Sequence, residues 1–372
     1  MGAPRASNSP ASAHELEARG DVRGAYRAYS TAAGADLLDG ESAFRAGLMA
    51  ERMGNPIAAQ RWYEQACSVP APATRWWYFL GRAYERSRAF EQAAYAYTRF
   101  ARASRRARRP FRSVDGGMLD FDHELHYTGM AKPAYAYAVQ HACLLASALG
   151  VDRIRVAEVG VAGGQGLLAL EHHASTLARA TGVTVEVFGL DNGSGLPRGA
   201  DHRDVQHYFQ AGDYAMDEAE LRTRLTSAQL IIGDVRETFE SWLRSSEIPV
   251  GAVLNDVDLY ASTAPVLAAL GAPNTLGHLL PRVSMFFDDL VPKKREERLK
   301  DYSDFTGEAL AISDFNEGHA TAKISRDLHT VTLPRRLPWH QCAYLLHRFD
   351  HPDYSTPVRE GVPDRLRLSG AG

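Results

Sequence analysis

Cysteine is scarce: Cys67, Cys143 and Cys342 are the three in 372 residues, and they form no C-x-x-C pair. An odd, unpaired set argues against a disulfide framework and a structural zinc site, and makes a reducing cytoplasm the expected setting. Long apolar runs are also missing. None approaches the roughly 18–20 residues that cross a bilayer, so no membrane span is expected. The opening MGAPRASNSPASA lacks the apolar core of a secretory signal, and Ala6 stands where a myristoylation pattern needs Ser or Thr. Neither sign of charge dominates. Lys plus Arg number 42 and Asp plus Glu 45, a formal charge of −3, so nothing in the balance calls for a nucleic-acid partner. What is present is globular: 45% hydrophobic residues are too many for wholesale disorder, and the length exceeds one ordinary core and predicts two domains.

The first third carries a period. Stepping by 34 residues aligns Ala25, Ala59 and Ala93, then Tyr29, Tyr63 and Tyr97, then Ala33, Cys67 and Ala101; it also takes Gly20 to Gly54 and Gly47 to Gly81. Small residues at the Gly47/Gly81 and Ala59/Ala93 positions let helices cross closely. The aromatics one turn on (Trp62, Tyr63, Tyr95, Tyr97) fill the groove between successive hairpins. Gly20-Asp21 and Gly54-Asn55-Pro56 stop one helix and start the next. The spacing predicts three helical hairpins over residues 13–104, the first degenerate, after a disordered stretch at 1–12. This resembles the tetratricopeptide repeat, which implies a concave surface for a protein partner or for self-association. The alternative is that the hairpins only pack on the rest of the chain. The basic run Arg102, Arg105, Arg106, Arg108, Arg109 and Arg112 is read as a solvated helix end and a linker over 105–118, with Pro110 marking the boundary.

A second domain is expected over 119–372. After a helical stretch ending at Gly150 come short apolar runs separated by helix-like segments: RIRVAEV, VTVEVFGL, AQLIIGD, GAVLNDVD and RVSMFFDD. They read as buried parallel strands of a doubly wound, Rossmann-like α/β sheet. HTVTLP and QCAYLLHRF, joined by the short PRRLPWH, are expected to add an antiparallel edge hairpin and complete seven strands.

Ligands of such sheets sit beyond the carboxyl ends of the strands. The first strand ends in Glu158, Gly160, Val161, Ala162, Gly163, Gly164 and Gly166, whose glycines let backbone approach a ligand at a helix N-terminus. The second ends in Asp191, a carboxylate placed for ribose hydroxyls, and the third in Gly233-Asp234, a place for a purine contact. The fourth ends in Asp256 and Asp258, the fifth in Asp288-Asp289. Together, the G-V-x-G-G at 160–164, Asp191 followed by G-L-P, the D-x-D-L-Y-x-S-T at 256–263 and the pair at 288–289 resemble class I S-adenosylmethionine-dependent methyltransferases. Within that class they are similar to the macrocin-type, metal-dependent sugar O-methyltransferases. The resemblance covers roughly residues 120–350. It implies S-adenosylmethionine at the glycine turn, and Mg²⁺ on Asp256, Asp288 and Asp289 with Asp258 in support. The stretch GAPNTLGHLLPR is longer than that family's, and Leu259 stands where catechol-type relatives carry a catalytic lysine.

Methyl transfer from a sulfonium is an in-line displacement, so alignment and a nucleophilic acceptor oxygen are what the enzyme must provide. Mg²⁺ polarises a hydroxyl and takes hard oxygen ligands, which clustered Asp residues supply. The implied acceptor is a small-molecule hydroxyl of a sugar, polyol or natural product. Asp256, His278 and Tyr260 are the catalytic candidates, with His207 also in reach of a proton-removing role. The segments FDHELHYTGMAKPAY and FTGEALAISDFNEGH are expected to fold over the strand ends, with His126, Tyr127 and Glu308 lining the acceptor pocket. Three other readings stay open. A metal-independent N-methyltransferase would keep the cofactor. A nicotinamide oxidoreductase would use Gly164–Ala169, which satisfies G-x-G-x-x-A with Asp191 downstream. A repeat scaffold would carry a degenerate Rossmann domain.

Overall fold

The computed structural model describes residues 12–106, 121–127, 130–292, 297, 299–300 and 302–358. The expected disordered start and most of the expected basic linker lie outside them. The chain divides into two compact units, 1–130 and 131–372. The boundary is thus later than the 118/119 expected, because α7 (Phe121–Tyr127) belongs to the first unit: Tyr127 is buried in that unit's core and its hydroxyl donates to Glu85 at 3.0 Å. Among the described residues no helix is long and apolar enough to cross a membrane.

The first unit is a run of helical hairpins: α1 (Ala13–Ala18) with α2 (Val22–Ala35), α3 (Gly40–Arg52) with α4 (Pro56–Ser68), and α5 (Thr74–Arg86) with α6 (Phe90–Arg106). The short α1 is the degenerate member. The period has a physical origin in one contact made repeatedly. A Cβ on Gly47 would lie 2.4 Å from the Tyr63 ring, and one on Gly81 would lie 2.8 Å from the Tyr97 ring. The matching hydroxyls keep the step as well: Tyr29 donates to Glu17 (2.8 Å), Tyr63 to Glu51 (2.9 Å) and Tyr97 to Glu85 (3.0 Å). Tyr63 and Tyr97 thus fill the space a glycine leaves, and all three buried tyrosines satisfy their polar tips on the neighbouring helix. Gly20 and Gly54 take φ of +77° and +73°, and Asp21 and Asn55 cap the helices that follow.

The second unit is a seven-stranded sheet in the order β3-β2-β1-β4-β5-β7-β6. The strands are β1 (Arg153–Val159), β2 (Thr184–Asp191), β3 (Gln229–Ile232), β4 (Val250–Asn255), β5 (Leu279–Phe287), β6 (Ala322–Arg326) and β7 (Ala343–Arg348). The first five are parallel, and β7 runs antiparallel between β5 and β6. α8 (Pro133–Ala148) and α9 (Gln165–Thr181) pack together; α11 (Val235–Arg244), α12 (Tyr260–Gly271) and α13 (Gly307–Gly318) share a core with Ala157, Val159, Phe188 and Leu190 of the sheet. The remaining helix, α10 (Glu218–Arg224), precedes β3.

One strand differs from expectation. HTVTLP is not extended: Asp327 accepts from the His329 amide (2.9 Å), the Thr330 hydroxyl donates to the Asp327 carbonyl (2.6 Å), and residues 328–332 close into a 3₁₀ turn with Val331 78% exposed. Local side-chain bonds to the backbone satisfy a pattern that looks strand-like. The edge strand is instead AKISR, where Ala322 and Ile324 turn inward between polar neighbours.

Gly47→Ala is expected to lower the unfolding free energy of the first unit by about 1–3 kcal/mol, because Tyr63 is fully buried and cannot yield. Gly34→Ala, in exposed helix with open space around its Cα, should be neutral or slightly stabilising. Urea melts of both variants check the pair. In the second unit, burial strips water from His173 and pushes its pKa down to about 4, while its Nε2 lies 2.8 Å from the Ala131 carbonyl. The folded state therefore holds the neutral ring. Its stability is full above pH 6.5 and falls as pH drops from 6.5 towards 4, by about 3 kcal/mol. His173→Gln should flatten that part of the stability–pH curve.

Candidate active site

The parallel strands reverse their order of succession between β1 and β4, and there the β1 and β4 ends meet at close quarters. Gly160 has φ +88°, and a Cβ on it would sit 1.9 Å from the Asp256 carbonyl oxygen. No other residue type fits. The turn continues through Ala162 (φ +45°) and Gly164 (φ +76°) into α9. Asp191, at the end of β2, holds it: Oδ2 accepts from the amides of Val161 (2.7 Å) and Ala162 (2.9 Å), Oδ1 from that of Gly193 (2.6 Å). Gly166 is the second residue of α9, where a Cβ would strike Glu158 Oε1 at 1.8 Å. The strand-to-helix turn is therefore 160–164. Gly164 and Gly166 stand at and inside the helix start, and the dinucleotide spacing is not met at the strand end.

This turn opens into a cavity of about 570 Å³ beyond the strand ends. Glu158, Gly160, Val161, Ala162, Gly163, Gly164, Gly166, Asp191 and Asp234 line it, as do all four aspartates at 256, 258, 288 and 289. Gly233 does not: its amide donates to the Asp191 carbonyl at 2.9 Å. Among the described residues that line the wall, carboxylates outnumber cations, eight (Glu158, Asp191, Asp234, Asp256, Asp258, Asp288, Asp289, Glu297) to four (Lys132, Arg198, Arg236, Lys300). Arg236 grips Asp234 through its guanidinium and holds that carboxyl below its usual range.

The acidic groups are partnered within the chain. The Tyr135 hydroxyl, on α8, lies 2.9 Å from Glu158 Oε1 and 3.1 Å from Asp256 Oδ2, and Lys132 Nζ is 3.8 Å from the same Asp256 oxygen. Glu158 is 1% exposed and its Oε2 has no hydrogen-bond partner among the described residues. Burial, then the charge of Asp256, push its carboxyl well above the ordinary value. On the other side, Lys300 pairs with Asp289 and stands 3.9 Å from Asp258. Burial, then a hydrogen bond with Asp289, push Asp258 well up. The hard oxygens here suit Mg²⁺ by type, but as placed they do not fit a resident ion. Among the described residues no three His, Cys, Asp or Glu are grouped to hold a metal, and a lysine ammonium occupies the side of Asp289 and Asp258.

Several expected site residues are elsewhere. His278 precedes β5, at the amino end of that strand and opposite the cavity, with Nδ1 2.8 Å from the Ser246 carbonyl; the long GAPNTLGHLLPR stretch is a 3₁₀ turn plus the start of β5. Tyr260 donates to Asp314 at 2.8 Å and lies under the Arg203 guanidinium, off the cavity wall. Glu308 is buried behind the wall, accepting from Asn255 Nδ2 and from the Asp289 amide at 2.8 Å each, so it braces the ends of β4 and β5 from within α13. α13 is therefore core, not a cover. Tyr127 is a core residue of the first unit, and His126, 9% exposed, belongs to that unit too. His207 is exposed; its neighbour Tyr208 reaches the wall. Lys132, Tyr135 and Lys300 escaped sequence reasoning. A lysine beside a cluster of carboxylates was the signal to seek, but it comes from remote segments.

No family model matches the sequence, and no curated protein matches it. Among solved structures, the chain is similar to CalS11, a calicheamicin methyltransferase, at 20% identity over 59% of this chain and 80% of that one, with a TM-score of 0.38. An apo structure described as CalS11, TDP-rhamnose 3'-O-methyltransferase, aligns at 19% identity over 59% and 81%, TM-score 0.35. An O-methyltransferase from Bacillus cereus in complex with SAH aligns at 12% identity over 56% and 78%, TM-score 0.29. Likeness this distant assigns no activity to this chain.

Gly160→Ala should force the β1 and β4 ends apart and cost about 2 kcal/mol or more of stability, read by thermal melt. Gly163→Ala, with open space around it, should leave the melt within about 0.5 kcal/mol of wild type.

Proposed function

We propose that the second unit is an S-adenosylmethionine-dependent methyltransferase acting on a hydroxyl of a sugar, polyol or natural-product acceptor. The observation that carries this reading is the glycine turn clamped by Asp191 at the head of a cavity among whose described lining residues carboxylates outnumber cations. A sulfonium donor with its ammonium carries net positive charge and is drawn to such a wall. A dinucleotide with two phosphates is repelled by it, which disfavours the oxidoreductase reading. The turn and the first amides of α9 receive the donor, and Glu158 faces its amino group.

Transfer is an in-line displacement in which the acceptor oxygen attacks the methyl carbon as the carbon–sulfur bond breaks. Alignment in the cavity supplies most of the acceleration. Asp256 is the residue placed to take the hydroxyl proton: it lines the cavity, and Lys132 and Tyr135 hold its carboxylate in place. The divalent ion that the resemblance implies has no part in this reading, because Lys300 stands at Asp289 and Asp258. The excess of carboxylates also suits an amine acceptor, the second reading, which product analysis of methylated oxygen against nitrogen separates. For the helical hairpins we propose a docking role towards a protein partner or a second copy.

Calorimetric titration with S-adenosylhomocysteine is expected to show binding, and titration with NAD⁺ none. Asp191→Ala, which frees the turn, should weaken that binding tenfold or more. Asp256→Asn should keep the affinity and lower kcat by about 10²–10⁴. Absence of any S-adenosylhomocysteine binding by the wild-type protein would refute the reading.

A further inference from the structure

The lysine that pairs with Asp289 has surroundings that are not those of an incidental surface ion pair. Its side chain is 7% exposed, against 11% for Asp289 and 13% for Asp258. Three aromatic rings surround the ammonium, with centroids at 4.2 Å (Phe209), 5.3 Å (Tyr302) and 5.6 Å (Tyr208). Two carboxylates on one side and three π faces on the others make a box for an ammonium. An ammonium gives up its water to aromatic faces and keeps a favourable interaction with them. A magnesium ion demands an octahedron of oxygens and dehydrates reluctantly, and ring carbons offer it no lone pairs.

We propose that Lys300 is the resident cation of this site: a positioning residue whose ammonium neutralises the Asp258–Asp289 pair and does there what a divalent ion would otherwise do. Asp258 comes from the end of β4 and Asp289 from the end of β5, so the ammonium also ties two strand ends together. Lys300 is also among the residues that line the cavity. An acceptor hydroxyl is then oriented by hydrogen bonds to a fixed ammonium instead of by chelation. This deepens the methyl-transfer reading and depends on it only for the word acceptor. The identity of the cation is tested without turnover.

Electron paramagnetic resonance of Mn²⁺ added to the full-length wild-type protein is expected to show no bound ion at equimolar metal up to about 1 mM, and the thermal midpoint should not move on adding EDTA. Lys300→Ala should lower that midpoint by roughly 5–10 °C. Ethylammonium at tens of millimolar should recover at least half of the loss, and Mg²⁺ less. Lys300→Met, which keeps the stem's packing, should respond to EDTA no more than wild type does. One equivalent of Mn²⁺ bound by wild type at micromolar affinity, and lost in Asp289→Asn, overturns the proposal. So does a Lys300→Ala protein whose lowered midpoint Mg²⁺ restores and ethylammonium does not. Should Lys300→Ala not fold, the wild-type Mn²⁺ measurement still decides. S-adenosylhomocysteine affinity, measured alongside, reports on the methyl-transfer reading by itself.

Discussion

Repulsion among carboxylates is the constraint to which the second unit is built. Strands β1, β2, β4 and β5 each deliver acidic side chains to one cavity, and like charges brought together out of water are tolerated only with neutralisation. The chain meets that demand in four ways. Arg236 answers Asp234, and Lys132 with Tyr135 answers Asp256. Lys300 answers Asp289 and Asp258, while burial pushes Glu158 and Asp258 towards their neutral forms. Each device fixes a side chain as well as a charge, so the electrostatic solution is also the geometric one.

The strand ends can meet in this way because the backbone lets them. At Gly160 the chain passes within van der Waals contact of the Asp256 carbonyl, in a conformation with positive φ, and the amides it frees are taken by Asp191. Behind the wall, Glu308 accepts from both Asn255 Nδ2 and the Asp289 amide, and so sets the relative heights of β4 and β5. Glu308 therefore acts on the cavity from the core side, through the strands. The first unit solves a different problem with the same economy: one glycine–tyrosine contact and one tyrosine–glutamate bond, reused at a fixed step, assemble its hairpins.

Much of this was legible in one dimension. The 34-residue step is a packing rule written into spacing, because equivalent helices must present equivalent faces. The glycine turn and the acidic strand ends were legible because a strand followed by a tight turn leaves a short, unmistakable pattern. The edge strand AKISR was not, being short and polar, with only Ala322 and Ile324 facing inward. HTVTLP misled because alternation of small and apolar residues does not reveal that Asp327 and Thr330 will satisfy the backbone locally. His278 misled through closeness in sequence to the acidic motifs: a strand separates its two ends by its whole length, and His278 lies before β5 while Asp288 lies after it.

The sequence by itself determined the two-part organisation, the hairpin period, the five parallel strands and the set of carboxylates that gather beyond them. These follow from local rules: periodicity, turn chemistry and the fixed sense of strand–helix–strand connections. Only the tertiary structure decided what stands opposite each carboxylate. Lys132 and Tyr135 arrive from the start of α8, and Lys300 from the segment after β5, at separations no spacing rule encodes. Charge is neutralised by whatever the fold brings near, and nearness across a folded chain is a property of the assembled molecule.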